Sequence, residues 1–275
     1  MSFCGLLGQR GTGTPNNEMY LSAVRHLQIS GGFPDPFQQA LPKLEYTLKG
    51  VKSTQAKDPN RHSRTRLPVT PKILWDVRKV LSKAPSDRNN IMIWAACCLC
   101  FYGFLRSGKV TIPTLSSYDP GAHLSHGDVA IDDPRNTSVV QIKIKASKTD
   151  PFRKGVMVYV GKTGNELCPV MALTAYLAIR GTRPGPFFCF RDGTPLTRPQ
   201  FVEQVRLILS QAGYNPELYA GHSFRIGAAS TAAACGIEDS TIQTLGRWVS
   251  AAYLRYVRIP REKLANISKS LSNAK

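Results

Sequence analysis

Arg106, Lys148, His222, Arg225 and Tyr256 are the residues of this sequence whose types and spacing can do chemistry together. Breaking a phosphodiester without a metal requires positive donors on the non-bridging oxygens, a nucleophile in line with the bond, and an acid for the leaving oxygen. Arg106 and Arg225 can each clamp two oxygens. His222 stands three residues before Arg225, so a first helical turn holding both would aim them at one phosphate. Its imidazole can accept or donate a proton near neutral pH. Lys148, within Lys145-Ala-Ser-Lys-Thr-Asp, is suited to reach from a hairpin tip into a groove and protonate a leaving 5′-hydroxyl. Tyr256 can attack phosphorus, its phenolate favoured by the neighbouring cations. Taken singly each has a plainer reading: Arg106 as a helix cap, His222 and Tyr256 as packing residues, Lys148 as a solvated tip.

Two other motifs fail on spacing. Gly161-Lys162-Thr163 has the end of a phosphate loop, but the preceding Gly155 is one position too far away and a strand pattern fills the interval. Gly221-His222-Ser223-Phe224-Arg225 has the start of a nucleophile elbow, but Arg225 replaces its second glycine and no strand precedes it.

The elements that must position these residues alternate between helical and strand periodicity. Residues 1–17 are Gly-, Thr- and Asn-rich and are expected to form a loose arm; Tyr20–Gln28 and Leu41–Leu48 read as helices, and the polar stretch from Lys49 to Arg66 as a linker. Pro71–Ser82 is helical, capped by Thr70, and Asn90–Leu105 is an apolar helix delivering Arg106. Asp128–Asp132, Ser138–Lys145 and Gly155–Val160 alternate as three antiparallel strands, with Lys148 in the last turn. Helices follow at Val170–Arg180, Pro199–Ala212, Ser223–Cys235 and Asp239–Leu245. The expected fold class is mainly α with a small three-stranded antiparallel sheet. The domains expected are a truncated helical DNA-binding segment with its arm (1–58), a linker (59–67) and a catalytic domain (68–275).

Composition points to the partner. Lys and Arg number 36 against 18 acidic residues, a formal charge of +18 and a pI near 9.8, so a polyanion is expected and double-stranded DNA is the partner favoured over an anionic membrane. Ile91–Leu105 is shorter than the roughly 20 residues a bilayer span requires. No secretory signal is visible, so the seven cysteines are expected as thiols, and Cys97, Cys98 and Cys100 as packing residues without a second ligand pair for zinc. No metal, cofactor or small-molecule substrate is expected.

The ordered segments Phe104-Leu-Arg-Ser-Gly108, Ser147-Lys-Thr-Asp150, Gly221-His-Ser-Phe-Arg-Ile-Gly227, Leu245-Gly-Arg-Trp248 and Tyr253-Leu-Arg-Tyr256 resemble the motifs of tyrosine recombinases, with the closest likeness to the integrases of DIRS and Ngaro-type retrotransposons. The likeness runs from about Pro68 to Pro260. It implies a catalytic domain closing on DNA opposite a helical clamp, a homo-tetramer in a synapse, and no metal or nucleotide. It casts Arg106 and Arg225 as phosphate clamps, Lys148 as acid, His222 as acid/base, Trp248 or its neighbour as a further phosphate contact, and Tyr256 as nucleophile.

Three features depart from that pattern. Lys109 occupies the place of an acidic residue three positions after the first arginine, where it repels Arg106 unless it turns outward. The position nine residues before Tyr256 holds Arg247, with Trp248 one later; Tyr253 competes with Tyr256 for the nucleophile's role. Residues 1–58 hold too few helices for a full clamp, and Leu264, Ile267 and Leu271 recur at the spacing of a tail helix that docks on its own domain or on a neighbour. The reading is a mobile-element recombinase or integrase working through a 3′-phosphotyrosine, with nuclear residence following from the substrate. Its alternatives are a DNA-binding remnant that no longer cuts and a type IB topoisomerase.

Overall fold

The computed structural model describes residues 14–39, 41–57, 66–146, 150 and 152–258. Backbone contacts divide the chain into two units, Met1–Arg64 and Thr65–Lys275. Lys148, most of the Arg61–Arg66 cluster and the Leu264–Leu271 repeat lie outside the described residues.

The first unit holds α1 (Thr14–Ser30) and α2 (Pro42–Ala56). Two expectations need correction here. α1 begins at Thr14, inside the expected arm, and α2 takes in the first part of the expected linker, Lys49 to Ala56. Lys49, Lys52, Gln55 and Ala56 are good helix formers that present no long apolar stripe, so periodicity misses a helix that propensity allows. Arg25 pairs with Asp35 in the loop that follows α1.

The second unit carries the core. α3 (Pro71–Leu81) starts where Thr70 accepts from the Ile73 amide at 3.3 Å, and buries Ile73, Leu74, Val77 and Leu81 along one face. α4 (Arg88–Tyr102), capped by Asp87 on the amides of Asn89 and Asn90, is buried continuously from Met92 to Phe101. Cys97, Cys98 and Cys100 are fully enclosed in it, and burial raises their thiol pKa values. The three strands, β1 (Val129–Ile131), β2 (Val139–Ile144) and β3 (Val156–Gly161), form one antiparallel sheet in the order β1-β2-β3. Val140, Ile142 and Ile144 of β2 pair with Val160, Val158 and Val156 of β3. β2 sends these three inward and alternates them with partly exposed Gln141 and exposed Lys143.

Helices α5 (Pro169–Arg180), α6 (Arg198–Gln211), α7 (Ser223–Ala234) and α8 (Asp239–Gly246) complete the unit, followed by a 3₁₀ segment at Ala251–Arg255. The expected class, mainly helical with one small three-stranded antiparallel sheet, is the one observed. Among the described residues no helix is long and apolar enough to cross a membrane, and no cluster of His, Cys, Asp or Glu could hold a metal ion.

Candidate active site

The site begins where α4 ends. Gly103 caps the helix and Phe104 takes a left-handed φ of 51°, an uncommon conformation for a bulky residue. The reversal sets Arg106 just before the short 3₁₀ turn Ser107–Lys109 and leaves the carbonyls of Gly103 and Phe104 as acceptors. Arg247, itself left-handed at φ 56°, donates Nη2 to both carbonyls at 2.9 and 3.0 Å. Arg225 donates Nη1 to Phe104 O at 2.6 Å and Nη2 to Gly246 O. Two guanidiniums thus tie the ends of α4 and α8 to the start of α7.

His222 is the N-cap of α7 and Arg225 lies in its first turn, so the spacing read from sequence does place them at one helix start. Gly221 lets this start approach the Arg106 turn: a Cβ there would lie 2.0 Å from Ser107 Oγ. At Gly246 a Cβ would lie 1.6 Å from the Trp248 ring, so only glycine lets the indole fold back over the end of α8.

That folded-back indole is the floor of the site. Arg225 is 2% exposed and stacks on it, with the guanidinium carbon 4.1 Å from the Trp248 ring centroid and 5.5 Å from that of Tyr256. The Trp248 and Tyr256 rings are 5.1 Å apart, inclined at 48°. Tyr253 is buried, with its ring 6.3 Å from that of Trp248 and inclined to it at 51°. Tyr256 is held by its backbone: its amide donates to Tyr253 O at 2.8 Å, and its carbonyl accepts from Ser230 Oγ at 3.0 Å. Ser230 also accepts from the Arg258 amide at 2.9 Å, clipping the segment to α7 on both sides of Val257.

The site is rich in cations and poor in anions. Among the described residues no carboxylate pairs with Arg106, Lys109, Arg225 or Arg247. Burial, then Arg106 and Arg247, pulls Arg225 down to about 9, while Tyr256 acts in the opposite sense. Burial and Arg106 bring Arg247 to about 10. Burial, with Arg106, Arg198 and Arg225, lowers His222, which favours neutral imidazole. Lys109 is half-buried; burial, Arg106 and Arg247 lower its pKa, and its Nζ donates to Ala146 O at 2.5 Å. It therefore does not turn outward. It points toward the strand end that leads to Lys148. The Nε of Arg225 and the Nε1 of Trp248 are buried with no hydrogen-bond partner, an arrangement that costs free energy until an acceptor arrives.

Arg106, His222, Arg225, Trp248 and Tyr256 thus come together through the α4 reversal, the α7 start and the segment after α8, whereas Lys148 lies outside the described residues. Sequence reasoning missed the structural duty of Arg247 and the clip formed by Ser230. It also did not foresee that both terminal nitrogens of Arg225 are engaged by backbone carbonyls. Nothing in residue type announces these bonds, which depend on the two left-handed residues Phe104 and Arg247.

No protein-family model matches the sequence, and no curated protein does. Solved structures do. The fold is similar to that of the Tn1549 transposon integrase (residues 82–397) in complex with circular intermediate DNA, with TM-score 0.54, 14% identity, and coverage of 97% of this chain and 82% of that one. It is similar to the XerH site-specific recombinase bound to palindromic difH substrate in a post-cleavage complex, with TM-score 0.52, 15% identity, and coverage of 82% of this chain. This chain spans 62% of the length of that one. XerA recombinase matches with TM-score 0.50 and 16% identity over 94% of this chain and 82% of that one. At such identities the likeness is one of fold, and the fold is that of tyrosine recombinases and integrases.

Proposed function

We propose that this chain breaks and rejoins DNA strands through a covalent bond between Tyr256 and a 3′-phosphate. The observation that carries the reading is the packing of Arg225 against both Trp248 and Tyr256, which sets a phenol beside an acid-free, buried guanidinium. Positive charge of this kind stabilises the negative charge that grows on a phosphoryl group under attack. In the cleavage step Tyr256 Oη forms a bond to phosphorus as the bond to the 5′-oxygen breaks. Lys148 supplies the proton that the leaving oxygen needs, and His222 takes the phenolic proton. Arg106 and the unpartnered N–H groups of Arg225 and Trp248 face the non-bridging oxygens. Rejoining is the reverse, with a 5′-hydroxyl attacking the phosphotyrosine.

Within this reading the chain is a recombinase or integrase of a mobile element, related to DIRS and Ngaro-type integrases through its ordered motifs, acting in the nucleus as a homo-tetramer on double-stranded DNA. The net charge of +18 supports the DNA partner. The occupied terminal nitrogens of Arg225 and the cation at position 109 favour a second reading, a remnant that binds DNA without cutting. Parallel denaturing and native gels with nicked duplexes separate the two. A DNA adduct resistant to SDS is expected of the enzyme, and a native shift with no adduct at any pH would leave the remnant.

A further inference from the structure

Arg88 at the start of α4 donates to Ile179 O at the end of α5. Arg106 lies beyond the opposite end of α4, and a helix of 15 residues spans about 20 Å. The start of α4 is therefore remote from the candidate active site. There a cavity of about 120 Å³ is lined by four arginines, Arg88, Arg180, Arg183 and Arg191, together with Cys189 and Phe190, and by no acidic residue.

Arg180 is the fixed part of this cavity. It is 5% exposed, and its guanidinium donates to the carbonyls of Gly181, Arg183, Pro186 and Phe187 at 2.6–3.0 Å. Those bonds hold the 181–187 loop around the cation but leave its formal charge without a counter-ion. Burial and this same charge lower His126, whose amide donates to Gly185 O. The nearest carboxylates in sequence are committed elsewhere. Asp87 caps α4 and Asp192 accepts from the Thr194 amide. Arg88 Nε is buried with no hydrogen-bond partner, while Arg183 and Arg191 are exposed at the rim.

Two shielded cations, an orphaned donor and two free-standing rim cations form a small recess suited to a single tetrahedral oxyanion, because planar guanidinium forks match phosphate oxygens in pairs. We propose that the Arg88–Arg180–Arg183–Arg191 recess binds one phosphate group, separate from the phosphate engaged at Arg106 and Arg225. The proposal does not depend on strand cleavage. A DNA backbone phosphate and free inorganic phosphate share the chemistry, and the experiment distinguishes them.

The test compares the full chain with an Arg183→Ala/Arg191→Ala variant, changed only at exposed positions so that the core is left intact. Inorganic phosphate is titrated calorimetrically and in thermal melts against sodium chloride of matched ionic strength. Whatever the Arg106 cluster binds is common to both proteins. The expected result is a phosphate affinity at least 10-fold weaker in the variant, with loss of the phosphate-specific rise in melting temperature. Equal phosphate affinity in the two proteins, or none in either, overturns the proposal. Duplex binding measured against salt identifies the source. If the recess takes a backbone phosphate, the slope of log K against log[salt] falls by about 1 in the variant; an unchanged slope alongside lost phosphate affinity assigns the recess to the free anion.

Discussion

The guanidinium of Arg225 lies 4.1 Å over the Trp248 ring while its two terminal nitrogens are held by Phe104 O and Gly246 O. The pair links three parts of the second unit: the reversal after α4, the first turn of α7 and the end of α8. Position and electrostatics are set together, because the stack fixes the guanidinium plane and its burial keeps the cation short of solvent.

Replacing Trp248 tests that pairing. Trp248→Ala should destabilise the fold by about 3–5 kcal/mol through the void and the lost stacking. Trp248→Phe should retain most of the stability but lose the unpartnered indole N–H, lowering strand cleavage about 10-fold or more. Urea unfolding and cleavage of a nicked duplex read the two effects separately. Equal cleavage by Trp248→Phe and the parent would remove the indole N–H from the mechanism.

Arg225→Lys keeps a charge but loses the fork. Two carbonyls buried at the helix ends then lack one donor, at about 1–3 kcal/mol, and cleavage should fall at least about 100-fold. The variant should still shift DNA on a native gel, since the remaining basic surface is unchanged. Loss of DNA binding at low salt would show that the effect is on folding.

Lys109→Glu introduces the anion that the cluster lacks. The half-buried lysine is pressed by Arg106 and Arg247, so a carboxylate at 109 should raise the melting temperature and increase strand cleavage, outweighing the single bond lost to Ala146 O. Equal cleavage by both forms would show that position 109 does not govern the site.

His222 carries a pH signature. Its pKa is lowered from 6.5, first by burial and then by Arg106, Arg198 and Arg225. For a base depressed in the folded state, the unfolded chain takes up the proton first as pH falls. The contribution to stability is therefore complete above about 6.5 and is lost as pH drops through that value toward the folded pKa. Denaturant midpoints between pH 7.5 and 5 should decline more steeply in the parent than in His222→Gln, and parallel profiles would contradict the shift.

The sequence revealed a good deal of this architecture, and for identifiable reasons. Thr70-Pro71 announced the start of α3, and alternation in Val139–Ile144 and Val156–Gly161 announced paired strands with one buried face. α2 was legible only to Leu48 because its second half is polar, and α1 because Thr14–Asn17 lack apolar periodicity. At the site, His222 and Arg225 were readable as neighbours on a helix start. The clustering of Arg225 with Trp248 and Tyr256 was not, because it arises from long-range packing and from backbone reversals at Phe104 and Arg247 that the residue types themselves disfavour.

The central claim is that Tyr256 becomes joined to DNA, and the sequence allows a direct test. Trypsin cutting after Arg247, Arg255 and Arg258 places Tyr253 and Tyr256 on different peptides. The protein is trapped on a nicked duplex, digested with nuclease and trypsin, and the peptide bearing a residual nucleotide is identified by mass spectrometry. The account predicts the nucleotide on Tyr256-Val257-Arg258, and no adduct from Tyr256→Phe. A nucleotide on the Trp248–Arg255 peptide, or an adduct that survives Tyr256→Phe, would contradict it.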